Sequence, residues 1–236
     1  MGGRIRHLIR RGRAKIRRVL KRLRNRLFMF KRISHKEIGD SNDRAYELWT
    51  SDTETGTVSM TVKRDGRYKC KWVNVQNVLF RTGYRFGGFG SHEMIGEICL
   101  DYSAQYEPVG DSYMSVYGWT EDPIVEFYIV ESWGTCRPEK GTYRKTIISD
   151  GEEYDIYERA RYASPSIRGN SDFIQYWSVR KTKRTEGYIN VSAHFRAWED
   201  AGMPMGRLYE ISLSVEGCAG SSGKAAVMMN NLTWLQ

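Results

Sequence analysis

From Gly39 to the C-terminus, apolar and polar residues alternate over short runs, and the runs halt at Gly, Asn, Asp or Pro. This is the strand period, because successive side chains of an extended backbone point to opposite faces. Thr57-Val58-Ser59-Met60-Thr61-Val62 shows the alternation, and Asp65-Gly66 predicts a turn onto Tyr68 to Trp72 as hairpin partner. Further strands are expected at 94–102, 112–119, 124–132, 142–148, 153–159, 173–181, 187–192, 207–216 and 225–235. So many short strands predict an all-β sandwich or barrel. One α-helix is expected to interrupt them, with Ser192 as cap, Ala193, Phe195, Ala197 and Trp198 as apolar residues, and Gly202 as stop. His194 on that helix reads as structural. The stretch Gly83 to Gly90 lacks the Lys-Ser/Thr and strand-to-helix context of a phosphate loop, and reads as a turn or bend.

The charge is segregated. Of 37 Lys and Arg, 15 fall in residues 1–36, which hold no Asp or Glu, so the net +9 belongs to a tail and the remainder is mildly acidic. A high pI of this origin is no ground for reading the whole chain as a nucleic-acid binder. Within the tail, Ile5, Leu8, Ile9, Ile16, Val19, Leu20, Leu23 and Leu27 recur at helical gaps. Residues 1–40 are therefore expected to be a basic amphipathic or disordered tail. An anionic surface would neutralise it, and solvated disorder is the alternative. One folded domain is expected over 41–236. Leu27-Phe28-Met29-Phe30 is too short for the apolar core of a secretory signal, ~7–15 residues, and no run approaches the ~18 of a membrane span. Four Cys with no CxxC, and four His, predict neither a disulfide scaffold nor a zinc site.

Chemistry is concentrated in two strands. Tyr113, Ser115, Tyr117 and Trp119 share one face, with Met114 and Val116 on the other; in the next strand Glu126 and Tyr128 oppose Val125, Phe127 and Ile129. Near the C-terminus Leu213 and Val215 point to the core, leaving Glu216 with Ser212 and Ser214 on the opposite face. One strand Glu is ordinarily a solvated charge. Two of them among aromatic rings fit carbohydrate chemistry, because rings stack on sugar faces and paired carboxyls cleave glycosidic bonds.

Tyr117-Gly118-Trp119-Thr120 and Pro123-Ile124-Val125-Glu126-Phe127-Tyr128 closely resemble the nucleophile strand of family 11 glycoside hydrolases, the small endo-1,4-β-xylanases. Arg161-Tyr162-Ala163-Ser164-Pro165-Ser166-Ile167-Arg168-Gly169 resembles that family's thumb loop, and Gln175-Tyr176-Trp177-Ser178-Val179-Arg180 follows in the family's order. Val215-Glu216-Gly217, with Ser221-Ser222-Gly223, is similar to its acid/base strand. The resemblance runs from about Tyr46 to the C-terminus.

It implies a β-jelly roll sandwich of two curved antiparallel sheets with a single α-helix and a long cleft. It implies Glu126 as nucleophile, Glu216 as acid/base, and retention of configuration. Tyr117 and Tyr128 would flank the nucleophile, Trp119 would join the substrate face, and Trp49 would stack on a distal sugar. Arg161, Gln175 and the thumb residues Pro165, Ser166 and Ile167 would hold the sugar chain. Asn77 falls where the family places an Asn or Asp beside the acid/base, although a turn residue closing its strand is the plainer alternative. By analogy, Asn there predicts a near-neutral pH optimum. The family usually continues Glu-Gly with an aromatic residue; Cys218 stands there instead, and the segment looks one residue longer, so a changed loop beyond Glu216 is expected.

The implied partners are xylan and xylo-oligosaccharides, with no cofactor, no metal and no specific nucleic acid, in a monomer working outside the cell by an export route left open. The competing reading is a non-catalytic carbohydrate-binding sandwich.

Overall fold

The computed structural model describes residues 30–41, 44–51 and 54–235. The helical periodicity of the tail lies in residues 1–29, outside the described residues. The chain opens with β1 (Phe30–Ile33), β2 (Glu37–Ser41), β3 (Arg44–Thr50), β4 (Thr57–Lys63) and the long β5 (Tyr68–Arg85). A short helix α1 (His92–Ile95) precedes β6 (Glu97–Val109), β7 (Ser112–Glu121), β8 (Val125–Trp133) and β9 (Thr142–Ser149). There follow β10 (Glu152–Ser166), β11 (Gly169–Arg180), β12 (Glu186–Asn190), α2 (Val191–Glu199) and β13 (Arg207–Leu235).

Two strands do most of the architectural work because each is long enough to cross from one layer to the other. β5 pairs with β4 through its first residues and with β3 through Val78 to Gly83. β13 pairs with β7 from Arg207 to Gly217 and with β6 from Ser222 to Leu235. Both bend where the layers join: Asn74 and Ala219 take positive φ, and the β13 register against β5 slips between Cys218 and Gly223. Such bulges bend a strand and sharpen its twist. The result is the jelly roll implied by the resemblance, with its two layers continuous as one hydrogen-bonded sheet.

One pairing departs from the antiparallel expectation. β11 lies parallel to β8, Gln175 opposite Glu126. The chain leaving β8 enters the far edge as β9, then works inward through β10 to β11, and two reversals restore its direction. The predicted hairpin forms, with Val62 opposite Tyr68 and Asp65 accepting from the Arg67 amide at 3.1 Å.

Alternation divides the side chains into two apolar sets. Met60, Val62, Trp72, Phe80, Met114, Val116, Phe127, Leu213 and Val215 fill the core between the layers. Tyr113, Tyr117, Trp119, Tyr128 and Trp177 form a second cluster on the other side of the β7–β8–β11 layer. Helix α2 closes the core, Phe195 and Trp198 packing on Phe127 at 5.0 and 5.9 Å between ring centroids.

Three expectations change in detail. The cap of α2 is Asn190, whose side chain accepts from the Ala193 amide at 2.9 Å; Ser192 instead accepts from the Ile98 amide at 2.9 Å. Residues 94 and 95, expected to open a strand, belong instead to α1, and the strand starts at Glu97. Residues 30–40, read as the end of the tail, belong to β1 and β2 and the turn between them, with β1 antiparallel to β4 and Ile33 buried in the core. Four residues with two cations are too short and too charged for alternation to stand out. His194 is buried beside Tyr154 and Trp198, and burial draws its pKa down to about 3, so it is a neutral core residue as expected.

Candidate active site

The concave face of the β5–β13–β7–β8–β11 layer carries a cleft of about 470 Å³. Every residue singled out from the sequence lines it: Trp49 from β3, Asn77 from β5, Tyr117 and Trp119 from β7, Glu126 and Tyr128 from β8, Arg161, Pro165 and Ser166 from β10, Ile167 beyond it, Gln175 from β11 and Glu216 from β13. The strand period explains this convergence, since inward residues of neighbouring strands stand in register: Trp119 opposite Glu126, Tyr117 opposite Tyr128, and Tyr113 opposite Glu216.

Glu126 is held from three directions. The hydroxyls of Tyr117 and Tyr128 donate to its Oε1 at 2.8 and 3.0 Å, and Gln175 Nε2 donates to Oε2 at 2.6 Å. Trp119 Nε1 donates to the Tyr117 hydroxyl at 2.6 Å, and Tyr128 stacks flat on Trp177 at 3.8 Å, so both tyrosines are themselves fixed. The hydroxyl of Tyr128 also interacts with Glu216, which places it between the two carboxyl groups.

Both carboxyls are 8% exposed, yet they differ electrically. Burial raises Glu126, and its Gln175, Tyr117 and Tyr128 donors, with the charge of Arg161, oppose the rise. Burial pushes Glu216 up to about 8; the Glu126 charge adds to this, while Tyr113, Tyr128 and Lys140 pull the other way. Donors to a carboxylate favour its ionised form. At neutral pH the pair therefore holds its proton on Glu216. Tyr113, Tyr117 and Tyr128 are raised well above 10 by burial, and they remain donors.

Asn77 lies inside β5 opposite Cys218, so it does not close the strand. Its Oδ1 and the Oε1 of Gln175 are buried acceptors without a hydrogen-bond partner among the described residues, suited to a ligand hydroxyl. The thumb is the β10–β11 hairpin, where Pro165 faces Asn170 and the register slips between Arg161 and Ser164. Ser166 points its hydroxyl into the thumb's own turn, donating to the Gly169 carbonyl at 2.7 Å and accepting from the Arg168 amide at 3.0 Å. That hydroxyl is committed to the turn. Arg168 reaches from the hairpin tip to Asp122 at 3.2 Å and Glu121 at 3.6 Å.

Sequence reasoning assigns no site role to Tyr113, Arg81, Glu47, Glu210, Lys140 or Tyr209, and all line the cleft. Tyr113 was on the cleft face by alternation. Arg81 shares parity with Asn77 and Leu79, and Glu210 with Glu216, so strand period was the signal that could have found them. Beyond Glu216 the chain bulges between Cys218 and Ser221, and Glu216 stays on the cleft face. All four cysteines are free.

Set beside known proteins, the sequence model for "Glycosyl hydrolases family 11" matches residues 41–228. The chain belongs to glycoside hydrolase family 11. Within that family it is 48% identical over 200 residues to endo-1,4-beta-xylanase A of Bacillus pumilus, covering 85% of this chain and 86% of that one. It is also 48% identical to the bifunctional xylanase/deacetylase of Pseudobutyrivibrio xylanivorans, a longer protein of which the match spans 33%. The solved family 11 xylanase from Neocallimastix patriciarum superposes with a TM-score of 0.81 at 34% identity, covering 88% of this chain and all of that one. The chain is thus a glycoside hydrolase of xylanase kinship, in the jelly-roll fold.

Proposed function

We propose that this glycoside hydrolase cuts internal β-1,4 linkages of xylan by a retaining double displacement, with Glu126 as nucleophile and Glu216 as acid/base. The observation that carries this reading is the electrical asymmetry of two buried carboxyls in one aromatic cleft. Glu126, supplied with three donors, attacks the anomeric carbon as a carboxylate. Glu216, raised to about 8, gives its proton to the departing sugar oxygen as the glycosidic bond breaks. Esterification then removes the Glu126 charge that had raised Glu216. The pKa of Glu216 falls, and its carboxylate takes a proton from the water that attacks the glycosyl-enzyme and frees Glu126. Trp49 and the thumb residues Pro165 and Ile167 hold the polymer, and the unpaired acceptors of Asn77 and Gln175 take sugar hydroxyls.

The decisive experiment is reducing-sugar release from β-1,4-xylan, with product lengths and the first-formed anomer followed by NMR. Mixed short oligomers released with retained configuration support the reading. Glu126→Gln should abolish release and preserve xylan binding. Binding without release in the unaltered protein would establish the carbohydrate-binding alternative.

Xylan is too large to enter a cell, so the work is extracellular. The basic tail supplies a separate contact with anionic surfaces. Among the described residues, Arg32, Lys63 and Lys69, with the Arg67–Asp65 ion pair, line a groove on the face of β1, β4 and β5 turned away from the core. Binding of the full chain to anionic lipid vesicles should fall steeply with salt, and salt-independent binding would refute the contact.

A further inference from the structure

The cleft floor contains a charged group that the two-carboxyl mechanism does not use. Arg81 of β5 points into the cleft with a side chain only 8% exposed. Two acids clamp it from the strands on either side of β5. Glu47 of β3 accepts from its Nε at 3.0 Å and also from Nη2, and Glu210 of β13 sits against Nη1. Burying one cation and two acids is costly, and an apolar trio of similar volume would often be no less stable. The guanidinium lies over the ring of Tyr117, 4.9 Å from its centroid. That is the tyrosine whose hydroxyl donates to Glu126 at 2.8 Å.

We propose that Arg81, clamped by Glu47 and Glu210, is a positioning residue for glycoside cleavage, fixing the Tyr117 ring against Glu126 and directing positive charge toward that carboxylate. The proposal rests on the reading of Glu126 as nucleophile. Planarity is central to it. A guanidinium can lie flat on a ring while its edges hold two acids, and an ammonium cannot do both.

The groups facing Glu126 come from every surrounding strand. They are Arg81 from β5, Tyr113 and Tyr117 from β7, Tyr128 from β8, Arg161 from β10, Gln175 from β11 and Glu216 from β13. Arg81 and Arg161 are the cations in this group, and Glu216 carries its proton at neutral pH. Around Arg81 stand Glu47 and Glu210, and Glu210 has a second cation, Arg85, at 3.8 Å. The signs follow from these charges. Removing the Arg81 cation makes ionised Glu126 harder to form. Neutralising Glu210 leaves Arg81 and Arg85 less compensated and makes it easier.

The test is the pH profile of kcat/KM on a xylo-oligosaccharide for the unaltered enzyme, Arg81→Met, Arg81→Lys and Glu210→Gln. Arg81→Met should move the acidic limb up by about half to one pH unit, and Glu210→Gln should move it down. Arg81→Lys should restore the limb but keep a kcat several-fold low, because it returns the charge without the flat face. A merely structural role would not shift the limb in opposite directions in two variants. Limbs unmoved in both, or moved the same way, would overturn the proposal. Should Arg81→Met fail to fold, Glu210→Gln must still move the limb down and Arg81→Lys must still lower kcat with the limb in place, and an unmoved limb in Glu210→Gln overturns the proposal. Titration of the ¹³C-labelled Glu126 carboxyl by NMR, assigned by its loss in Glu126→Gln, separates the two levels of failure. An unaltered enzyme that cannot cleave defeats the nucleophile reading, while a Glu126 pKa identical in the unaltered protein and Glu210→Gln defeats the role of Arg81.

Discussion

A carboxyl that keeps its proton near pH 8 costs the folded protein stability, and Glu216 is such a group. Its folded pKa lies above the ordinary carboxyl value, so native Glu216 holds a proton that the unfolded chain has released. The cost of Glu216 to stability is therefore absent below about pH 4.3 and grows as pH rises toward 8. Glu216→Gln should raise Tm, and the gain over the unaltered protein should grow between pH 5 and 8.5. A gain that is flat with pH would contradict the assignment. On the proposed mechanism the same proton sets the alkaline limit, and activity on xylan should decline above about pH 8 as Glu216 ionises. Gln175 works from the other side of the pair. Gln175→Leu removes the 2.6 Å donor to Glu126 and should lower kcat/KM by roughly 10- to 100-fold, the range for a hydrogen bond to a charged group.

Among the elements, the β10–β11 hairpin gives the cleft its roof and β5 gives it its floor. The hairpin tip is tied to the β7–β8 turn through Arg168 with Asp122 and Glu121, while Asp122 also meets Arg207 at 2.5 Å. These are exposed pairs, and such pairs contribute little to folding. Arg168→Ala should therefore leave Tm nearly unchanged and raise KM for polymeric xylan several-fold, read from initial rates against xylan concentration. In β5, Gly83 lies opposite Ser212, where a Cβ would strike the Ile211 carbonyl. Gly83→Ala should cost about 1–3 kcal/mol in a denaturant titration, the usual range for overpacking. The expected turn is confined to the end of that glycine-rich stretch, where Gly87 and Gly88 take positive φ.

Across the whole molecule, the core separates two faces with different duties. The cleft lies on one, and the cationic groove beside β1 lies on the opposite face, so a surface held there leaves the cleft open. The basic run of the sequence does not end where the fold begins. Residues 30–36 are as cationic as what precedes them, yet Ile33 inserts into the core opposite Met60. Deleting residues 1–29 should leave Tm and xylan hydrolysis unchanged, whereas deleting 1–36 should lower Tm by several degrees. Calorimetry of the two truncations distinguishes a tail that stops at Phe30 from one that runs through Lys36.

What could be read without coordinates was everything governed by local period and by contiguous motif. Alternation alone assigned Tyr117, Glu126, Tyr128 and Glu216 to one side of their strands and Phe127, Leu213 and Val215 to the other, because a pleated backbone leaves a side chain only two directions. Pairing between distant strands was beyond that reach. The parallel seating of β11 on β8, the capture of β1 by β4, the passage of β5 and β13 between layers, and the clamp of Glu47 and Glu210 on Arg81 all join residues far apart in the chain. Such contacts leave no periodic trace in either partner. The electrical difference between Glu126 and Glu216 has the same origin, since both are glutamates on strands of similar pattern. Only the assembled neighbourhood of donors, rings and buried charge gives one its proton and leaves the other ready to ionise.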